Sequence, residues 1–171
     1  MEETGAIVPI LGANGSKPLA FKNKTGETMA RDIKKIDARG RFFLPAKLKE
    51  KFGRDLVATI SLDQGYLCVY TAENFENIKK QIAKINSLDP VKRILERAVL
   101  GEALELTPDS QGRITLTSEL WERIGAKPND EICVIDILDK LEICRKSFYE
   151  ENRIDLNALV GLDEKYYVEG L

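Results

Sequence analysis

The sequence contains no histidine, and only three of its 171 residues are cysteines. Without histidine, the usual Ser-His and Cys-His nucleophile pairs and the commonest metal ligand are excluded. Cys68, Cys133 and Cys144 each lie in an apolar run without Cys-x-x-Cys spacing, which predicts buried thiols in a reducing compartment. We therefore expect no enzyme, no cofactor, no metal site and no small-molecule substrate.

Long apolar runs are also missing. The run at 6–11 is far too short to cross a bilayer, and acidic residues stand at the start, where a secretory signal needs basic ones. The apolar content of 43% is nevertheless enough to bury a core. We expect a globular cytoplasmic protein with no membrane partner.

The formal net charge of -2 conceals an uneven distribution of charge along the chain. Residues 31–97 hold 15 basic and 9 acidic side chains, a net of +6, whereas residues 98–171 hold 8 and 16, a net of -8. This asymmetry indicates that one surface binds nucleic acid. Two differently solvated faces without a partner are the alternative.

An internal repeat organises the chain. The segment DARGRFFLPAKLKEKFG at 37–53 matches DSQGRITLTSELWERIG at 109–125 at an offset of 72, and the offset becomes 74 where LCVY at 67–70 aligns with LEIC at 141–144. Each copy predicts a lead-in strand, an Asp-x-x-Gly-Arg turn, a short strand, a helix ended by glycine, and two further strands.

Capping residues locate the predicted helices. In the first copy we place Pro45 in the first helical position and Gly53 in the left-handed position after the last turn. In the second copy Thr117 or Ser118 caps the helix and Gly125 ends it. Apolar spacing between the copies predicts two more helices, with an N-cap at Asp89. The predicted units are a flexible extension (1–27), a first unit (28–74), a helical hairpin (75–101), a second unit (102–148) and a C-terminal helix and tail (149–171).

The Asp-x-x-Gly-Arg turn carries the candidate chemistry. Its aspartate can accept backbone N–H groups, and its glycine supplies a backbone conformation that other residues resist. The arginine then leaves a rigid turn with little rotamer freedom to lose on binding. For Arg41 and Arg113, an internal ion pair with the aspartate of the same turn is the alternative.

The first turn lies in a dense basic field, which indicates phosphate binding. For Lys51 and Arg54 we prefer a solvated helix end. The whole field comprises Arg31, Lys34, Lys35, Arg39, Arg41, Lys47, Lys49, Lys51 and Arg54.

The run IKKIDARGRFFLPAKLK at 33–49 resembles the swapped-hairpin DNA-binding module of the AbrB superfamily. Two such copies, separated by a helical pair that contains Lys92, Arg93 and Arg97, resemble the MraZ family over residues 29–149. The resemblance implies an α+β fold of two tandem AbrB-like swapped-hairpin β-barrel units, packed as an intrachain pseudo-dimer. It also implies a nucleoid-associated transcription regulator that forms a homo-oligomeric ring on short direct repeats in the double-stranded promoter DNA of division and cell-wall genes.

The sequence departs from the family pattern in three places. Lys34 replaces a frequent histidine, Thr117 replaces the usual proline of the second copy, and the family normally lacks the long N-terminal extension. Two other functions stay open. One is a ring-forming assembly protein that does not bind DNA. The other is an AbrB-type antitoxin, which would usually have a single barrel unit and a disordered toxin-binding tail.

The DNA contacts that the resemblance implies are Lys34, Lys35, Arg39, Arg41, Lys47 and Lys49 in the first copy and Arg113 in the second.

From the basic field we predict that affinity for DNA falls steeply with salt. If each first copy makes about three to five phosphate contacts, log K falls against log salt with a slope of about -0.9 per contact, because bound counterions are released. Titration of the upstream DNA of the gene at several salt concentrations measures this slope. A flat response would contradict phosphate binding and favour assembly without DNA.

Overall fold

The computed structural model describes residues 21–22 and 28–170, with side chains from residue 30 onward. The predicted flexible extension at 1–27 lies outside the described residues, except for 21–22. The strands are β1 (Phe21–Lys22), β2 (Thr28–Met29), β3 (Arg31–Lys35), β4 (Arg41–Phe43), β5 (Leu56–Ile60), β6 (Leu67–Thr71), β7 (Leu104–Leu106), β8 (Arg113–Thr115), β9 (Glu131–Ile137) and β10 (Lys140–Arg145).

The helices are short, and several follow directly on a strand. A π-helical turn continues α3, and a single 3-10 turn follows α5. Their bounds are α1 (Ala46–Phe52), α2 (Ala72–Ala83), α3 (Pro90–Leu95), the π-helical turn (Glu96–Leu100), α4 (Ser118–Arg123), α5 (Lys146–Glu151), the 3-10 turn (Leu156–Leu159) and α6 (Leu162–Lys165).

The main sheet combines strands of both repeats in the order β3-β9-β10-β6-β5-β7, and all neighbours are antiparallel. The lead-in strand of the first repeat, β3, pairs with β9 of the second repeat. The lead-in strand of the second repeat, β7, pairs with β5 of the first. The prediction of an α+β fold is confirmed, with antiparallel sheets and several helices.

Strands β4 and β8 form a separate two-stranded ribbon. Arg41 lies opposite Thr115, and Phe43 lies opposite Arg113, so exchanging the two repeats at the offset of 72 leaves the pairing unchanged. The pairing of β6 with β10 is likewise unchanged at the offset of 74. The repeat in the sequence is therefore also a repeat in strand pairing.

The core lies between the main sheet and this ribbon. Ile132 and Val134 of β9 meet Phe42 and Ile114 of the ribbon, and none of these side chains is more than 1% exposed. Apolar residues of α1 and α4 complete the same cluster. Because burying this shared surface requires strands from both repeats, neither repeat has a separate core.

Helices cover the opposite face of the main sheet. Phe75 and Ile82 of α2 pack with Val57 of β5 in a second apolar cluster. The buried Thr59 hydroxyl donates a hydrogen bond of 2.6 Å to the carbonyl of Val99 in the π-helical turn. At the other end of the sheet, α5 contacts β9 and β10. None of the described helices is long and apolar enough to cross a membrane.

The predicted caps are largely confirmed. Asp89 caps α3 and Thr117 caps α4, each by accepting a backbone N–H with its side chain. Gly53 and Gly125 both have the positive φ expected after each helix, 72° and 66°, but ψ at Gly53 is -152°, so its backbone is not left-handed helical. The placement of Pro45 was wrong by one position. With ψ at 141° its backbone is still extended, so Pro45 is the N-cap of α1 and not its first residue.

Trp121 of α4 joins the two repeats in the core. Its ring meets Phe42 edge-on with the centroids 5.8 Å apart, and its Nε1 donates a hydrogen bond of 3.0 Å to the carbonyl of Gly40. The Leu116 N–H, at 3.1 Å, also bonds this carbonyl. The Trp121 side chain, from the second repeat, thus stabilises the turn of the first repeat at Gly40.

We predict that Trp121→Ala lowers the free energy of unfolding by about 3–5 kcal/mol, because it leaves a large cavity in the core. Trp121→Phe should cost less, since the lost hydrogen bond contributes only about 0.5–1.5 kcal/mol and the Gly40 carbonyl keeps its bond from Leu116. Urea unfolding of both variants measures the difference. Glu122→Ala at the exposed neighbouring position is the control, and equal losses in all three variants would contradict the prediction.

Candidate nucleic-acid interface

The ribbon β4–β8 places the two repeated arginines on one surface. Directly opposite residues of paired strands share a face, and successive residues alternate between faces. Since Phe42 and Ile114 point into the core, Arg41 and Arg113 project together from the outer face of the ribbon, where Phe43 lies directly opposite Arg113.

The first turn is closed by its aspartate. Asp37 Oδ1 accepts the backbone N–H groups of Arg39 and Arg41 at 2.8 and 2.9 Å, and Oδ2 accepts Nε of Arg41 at 2.7 Å. Gly40 has a φ of 76°, where a side chain would be strained. The turn therefore determines the path of the backbone and the direction in which Arg41 leaves it.

The second turn has the same geometry. Asp109 Oδ1 accepts the N–H groups of Gln111 and Arg113 at 3.0 and 2.9 Å, and Oδ2 accepts Nε of Arg113 at 2.8 Å. Gly112 has a φ of 78°. The interpretation of Asp-x-x-Gly-Arg as an aspartate-closed turn is confirmed in both repeats.

Both arginines form the internal ion pair that the sequence had left open as an alternative. The pair uses Nε, and among the described residues no hydrogen-bond acceptor binds the terminal Nη groups of Arg41 or Arg113. The two side chains remain 23% and 21% exposed. An arginine held through Nε presents its outer N–H groups in a limited range of directions, which suits an acceptor that takes two hydrogen bonds.

The hydrogen bonds also lower the pKa of both aspartates. Desolvation raises the pKa of Asp37, but the N–H groups of Arg41 and Arg39 and the Arg41 guanidinium outweigh it. For Asp109 the largest cause is the Arg113 N–H, which lowers the pKa. Both carboxylates therefore stay ionised at neutral pH, and both ion pairs persist there.

The surroundings of the two arginines differ. The Arg113 guanidinium lies 5.9 Å from the ring centroid of Phe43, whereas Arg41 lies opposite Thr115, which has no ring. Phe43 is 52% exposed, and we did not single it out in the sequence. The available signal was its place beside Phe42, because one of two adjacent strand residues faces outward.

The lysines of α1 occupy three different environments. Lys47 is exposed to solvent. The side chain of Lys49 passes so close over Gly112 of the second turn that a Cβ atom there would overlap it. Lys51, which we expected at a solvated helix end, instead forms an ion pair of 2.7 Å with the nearly buried Asp136 carboxylate. The basic residues that are close together in the sequence therefore do not form one continuous positive surface.

The lead-in strand β3 also divides its basic residues, because neighbours on a strand point to opposite faces. Lys34 lies on the side of the main sheet that carries the ribbon, and it pairs with Asp32 at 3.1 Å. Lys35 is exposed on the other side, opposite Glu131. Arg31 shares that side, and its guanidinium lies 4.4 Å from the ring centroid of Tyr149.

Of the predicted site residues, Arg41 and Arg113 thus share the outer face of the ribbon. Arg39 is exposed in the adjoining turn, and Lys34 lies on the same side of the sheet, whereas Lys35 does not. Across the residues that the structure describes, no cluster of three or more acidic or cysteine side chains could hold a metal ion.

The fold and the paired turns define a class of α+β proteins in which two repeats share one antiparallel sheet and each supplies an arginine turn to a common ribbon. The chain belongs to the MraZ family. The family model described as "MraZ protein, putative antitoxin-like" matches residues 30–98.

Curated relatives support this membership. The chain is 32% identical over 132 residues to the "Transcriptional regulator MraZ" of Hydrogenovibrio crunogenus, which covers 74% of this chain and 86% of that protein. Relatives with the same name from Proteus mirabilis and Yersinia enterocolitica are 30% and 28% identical over 128 residues, covering 72% of this chain and 83% of each relative. These names describe transcriptional regulators and not enzymes.

Proposed function

We propose that this chain is a transcription regulator that binds double-stranded DNA with the outer face of the ribbon β4–β8. The observation that carries the proposal is the projection of Arg41 and Arg113 from one face, each held through Nε and with no acceptor for its Nη groups among the described residues. The major groove of B-DNA is about 12 Å wide and admits a two-stranded ribbon, and arginine binds guanine O6 and N7 with two hydrogen bonds.

The other site residues take supporting roles in this proposal. Arg39 and Lys47 are exposed and bind phosphates beside the ribbon, and Lys34 does so from the edge strand. Lys49 lies over Gly112, so it acts through the shape of the second turn as well as its charge. Lys35 is the weakest of the proposed DNA contacts, because it lies on the opposite side of the main sheet from the ribbon. It reaches only DNA that bends round the sheet edge at β3.

We also propose that the two repeats form the swapped-hairpin pseudo-dimer of the AbrB superfamily, with units at 28–74 and 102–148 joined by the hairpin at 75–101. The support is the exchange of lead-in strands, because β3 pairs with the second repeat and β7 with the first. In this arrangement the pairing of β4 with β8 lies on the pseudo-twofold axis. Each unit then needs the other to complete its barrel.

The target that we propose is a set of short direct repeats in promoters of division and cell-wall genes, bound at the nucleoid in the cytoplasm. The printed name "Transcriptional regulator MraZ" of the relatives supports regulation. The antitoxin-like description of the family supports the second candidate function. Two full repeats that share one core favour the regulator, since an antitoxin of this superfamily would usually have one unit and a toxin-binding tail.

A homo-oligomeric ring is the assembly that we propose. Within the hairpin, Phe75 and Ile82 of α2 are buried, so they leave no surface for a neighbour. The exposed apolar residues are instead Leu88, Val91 and Ile94, at 84%, 51% and 63% exposure. Such a patch on a repeated chain is suited to heterologous contacts that close a ring.

We predict a closed oligomer larger than a dimer at micromolar concentration, measured by native mass spectrometry. Ile94→Glu should shift it to smaller species, because a charge would be buried at the contact. Leu62→Glu is the matched control, since Leu62 is 75% exposed in the loop between β5 and β6. A wild-type protein that is only monomeric would contradict the ring, and equal disruption by both variants would contradict the proposed contact.

We predict that Arg41→Ala weakens DNA binding by about 1–3 kcal/mol per engaged site, the range for loss of a bidentate base contact. Arg113→Ala should cost clearly less, because Arg113 lies near the Phe43 ring in the acidic repeat. Titration of both variants against the upstream DNA of the gene, with the oligomeric state checked in parallel, measures the difference.

Arg123→Ala is the control for loss of positive charge, since Arg123 is exposed and paired with Glu102 at 2.6 Å. It should leave affinity almost unchanged. Equal losses for Arg41→Ala and Arg113→Ala in intact oligomers would show that the two turns contribute equally. Absence of any shift of upstream DNA by the wild-type protein would overturn the proposed function.

A further inference from the structure

Two of the three cysteines lie side by side in the main sheet. Cys133 of β9 and Cys144 of β10 are directly opposite each other, and both are completely buried. Cys68 of β6 is also buried, but it lies opposite Glu142. The sequence predicted three buried thiols, and strand pairing brings two of them together.

The position of the pair matches the requirements of a disulfide bond. Opposite residues of antiparallel strands have Cα atoms about 4.5–5.5 Å apart, and disulfides span Cα separations of about 4.4–6.8 Å. Both side chains project from the same face of the sheet, because directly opposite residues of paired strands share a face. Bond formation therefore requires little movement of the backbone.

A half-buried arginine lies on the same face of the sheet as this pair. Arg31 of β3 shares the face of the sheet that carries Cys133, because Ile33 lies opposite Cys133 and the side chains alternate. Its guanidinium stacks on Tyr149 of α5 at 4.4 Å. Its Nη1 is buried and has no hydrogen-bond partner among the described residues. A buried donor without an acceptor is unfavourable, and a thiolate nearby would compensate it.

The environment distinguishes the two sulfur atoms. The neighbouring Cys144 thiol and the positive charge of Arg31 lower the pKa of Cys133, against the effect of burial. The Cys133 sulfur and burial raise the pKa of Cys144. Strand β3, which carries Arg31, is the neighbour of β9 and not of β10, so the cation lies on the Cys133 side of the pair. Since the thiolate is the nucleophile, Cys133 is the attacking sulfur and Cys144 the resolving one.

We propose that Cys133 and Cys144 form a thiol-oxidation site that closes a reversible cross-strand disulfide, with hydrogen peroxide as the oxidant. The Cys133 thiolate attacks one peroxide oxygen, the O–O bond breaks, and the departing hydroxide takes up a proton to leave as water, which gives a sulfenic acid. The Cys144 sulfur then attacks the Cys133 sulfur, the S–O bond breaks, and a second water leaves. Two thiols are oxidised and one peroxide is reduced to two waters.

Helix α5 controls access to the pair. It contacts β9 and β10, has only six residues, and has no side-chain cap at its N-terminus. Phe148 holds it to Tyr66 with the ring centroids 5.5 Å apart. A short uncapped helix opens locally at a lower free energy than the core, so oxidation proceeds through opening of α5.

The test uses the full-length native protein treated with hydrogen peroxide and analysed by intact mass and peptide mapping. We expect a loss of two hydrogens, a peptide link between Cys133 and Cys144, and recovery of both thiols with dithiothreitol. Cys68→Ala should be oxidised like the wild type, and Cys133→Ala should form no link. Cys144→Ala should accumulate a sulfenic acid at Cys133 that dimedone traps.

The peptide map of the wild-type protein tests the proposed disulfide even if a variant fails to fold. A link that includes Cys68, a covalent dimer on a non-reducing gel, or failure to react at a peroxide concentration that oxidises the unfolded chain would overturn the proposal. Phe148→Ala should raise the oxidation rate several-fold, because it loosens α5. An unchanged rate in a folded Phe148→Ala variant would overturn the proposed route of access.

Discussion

The pairing of β4 with β8 is the constraint on which the rest of the structure depends. Three residues of each repeat pair there, and the ladder extends into the turns, because the Leu44 N–H donates to the Gly112 carbonyl and the Leu116 N–H to the Gly40 carbonyl. Each turn is thereby bonded to the strand of the other repeat. The inner side chains of the ribbon enter the core, and its outer side chains, including both arginines, face solvent. The inner face of the ribbon therefore belongs to the core, and its outer face is the candidate interface.

Lys49 and Trp121 occupy equivalent positions of the two repeats and differ in chemistry, although both repeats keep the pairing of β4 with β8. Trp121 and Lys49 each lie over the glycine of the opposite turn, at Gly40 and Gly112. The tryptophan is fully buried and bonds to the turn, which makes it a structural anchor. Lys49 covers Gly112 with a flexible side chain, which leaves a positive charge near the surface. One turn is thus secured by packing, and the other lies beneath a cation.

Charge that is dense in the sequence is distributed over several surfaces in the fold. Arg31 stacks on Tyr149, Lys34 pairs with Asp32, and Lys51 pairs with Asp136. Internal pairs reduce the number of cations that can replace counterions on a polyanion. Within this basic field Arg39 is exposed in the first turn, and Arg41 has no acceptor for its Nη groups among the described residues. The proposed binding at the ribbon therefore relies more on a few oriented arginines than on total charge.

The sequence by itself determined the aspartate-closed turns and most helix caps, because these depend on residues within a few positions of one another. Its match with itself at an offset of 72 also determined the repeat, and the order of elements in each copy indicated the α+β class. It also indicated membership of the MraZ family. Only the tertiary structure decided which side of the sheet each lysine occupies, that Phe43 lies beside Arg113, that Phe75 and Ile82 are covered within the chain, and that Cys133 meets Cys144. These relations join residues distant in sequence or depend on strand register and on what covers each face. A single sequence carries no direct signal for such pairing, whereas a turn closed by its own aspartate is readable from five residues.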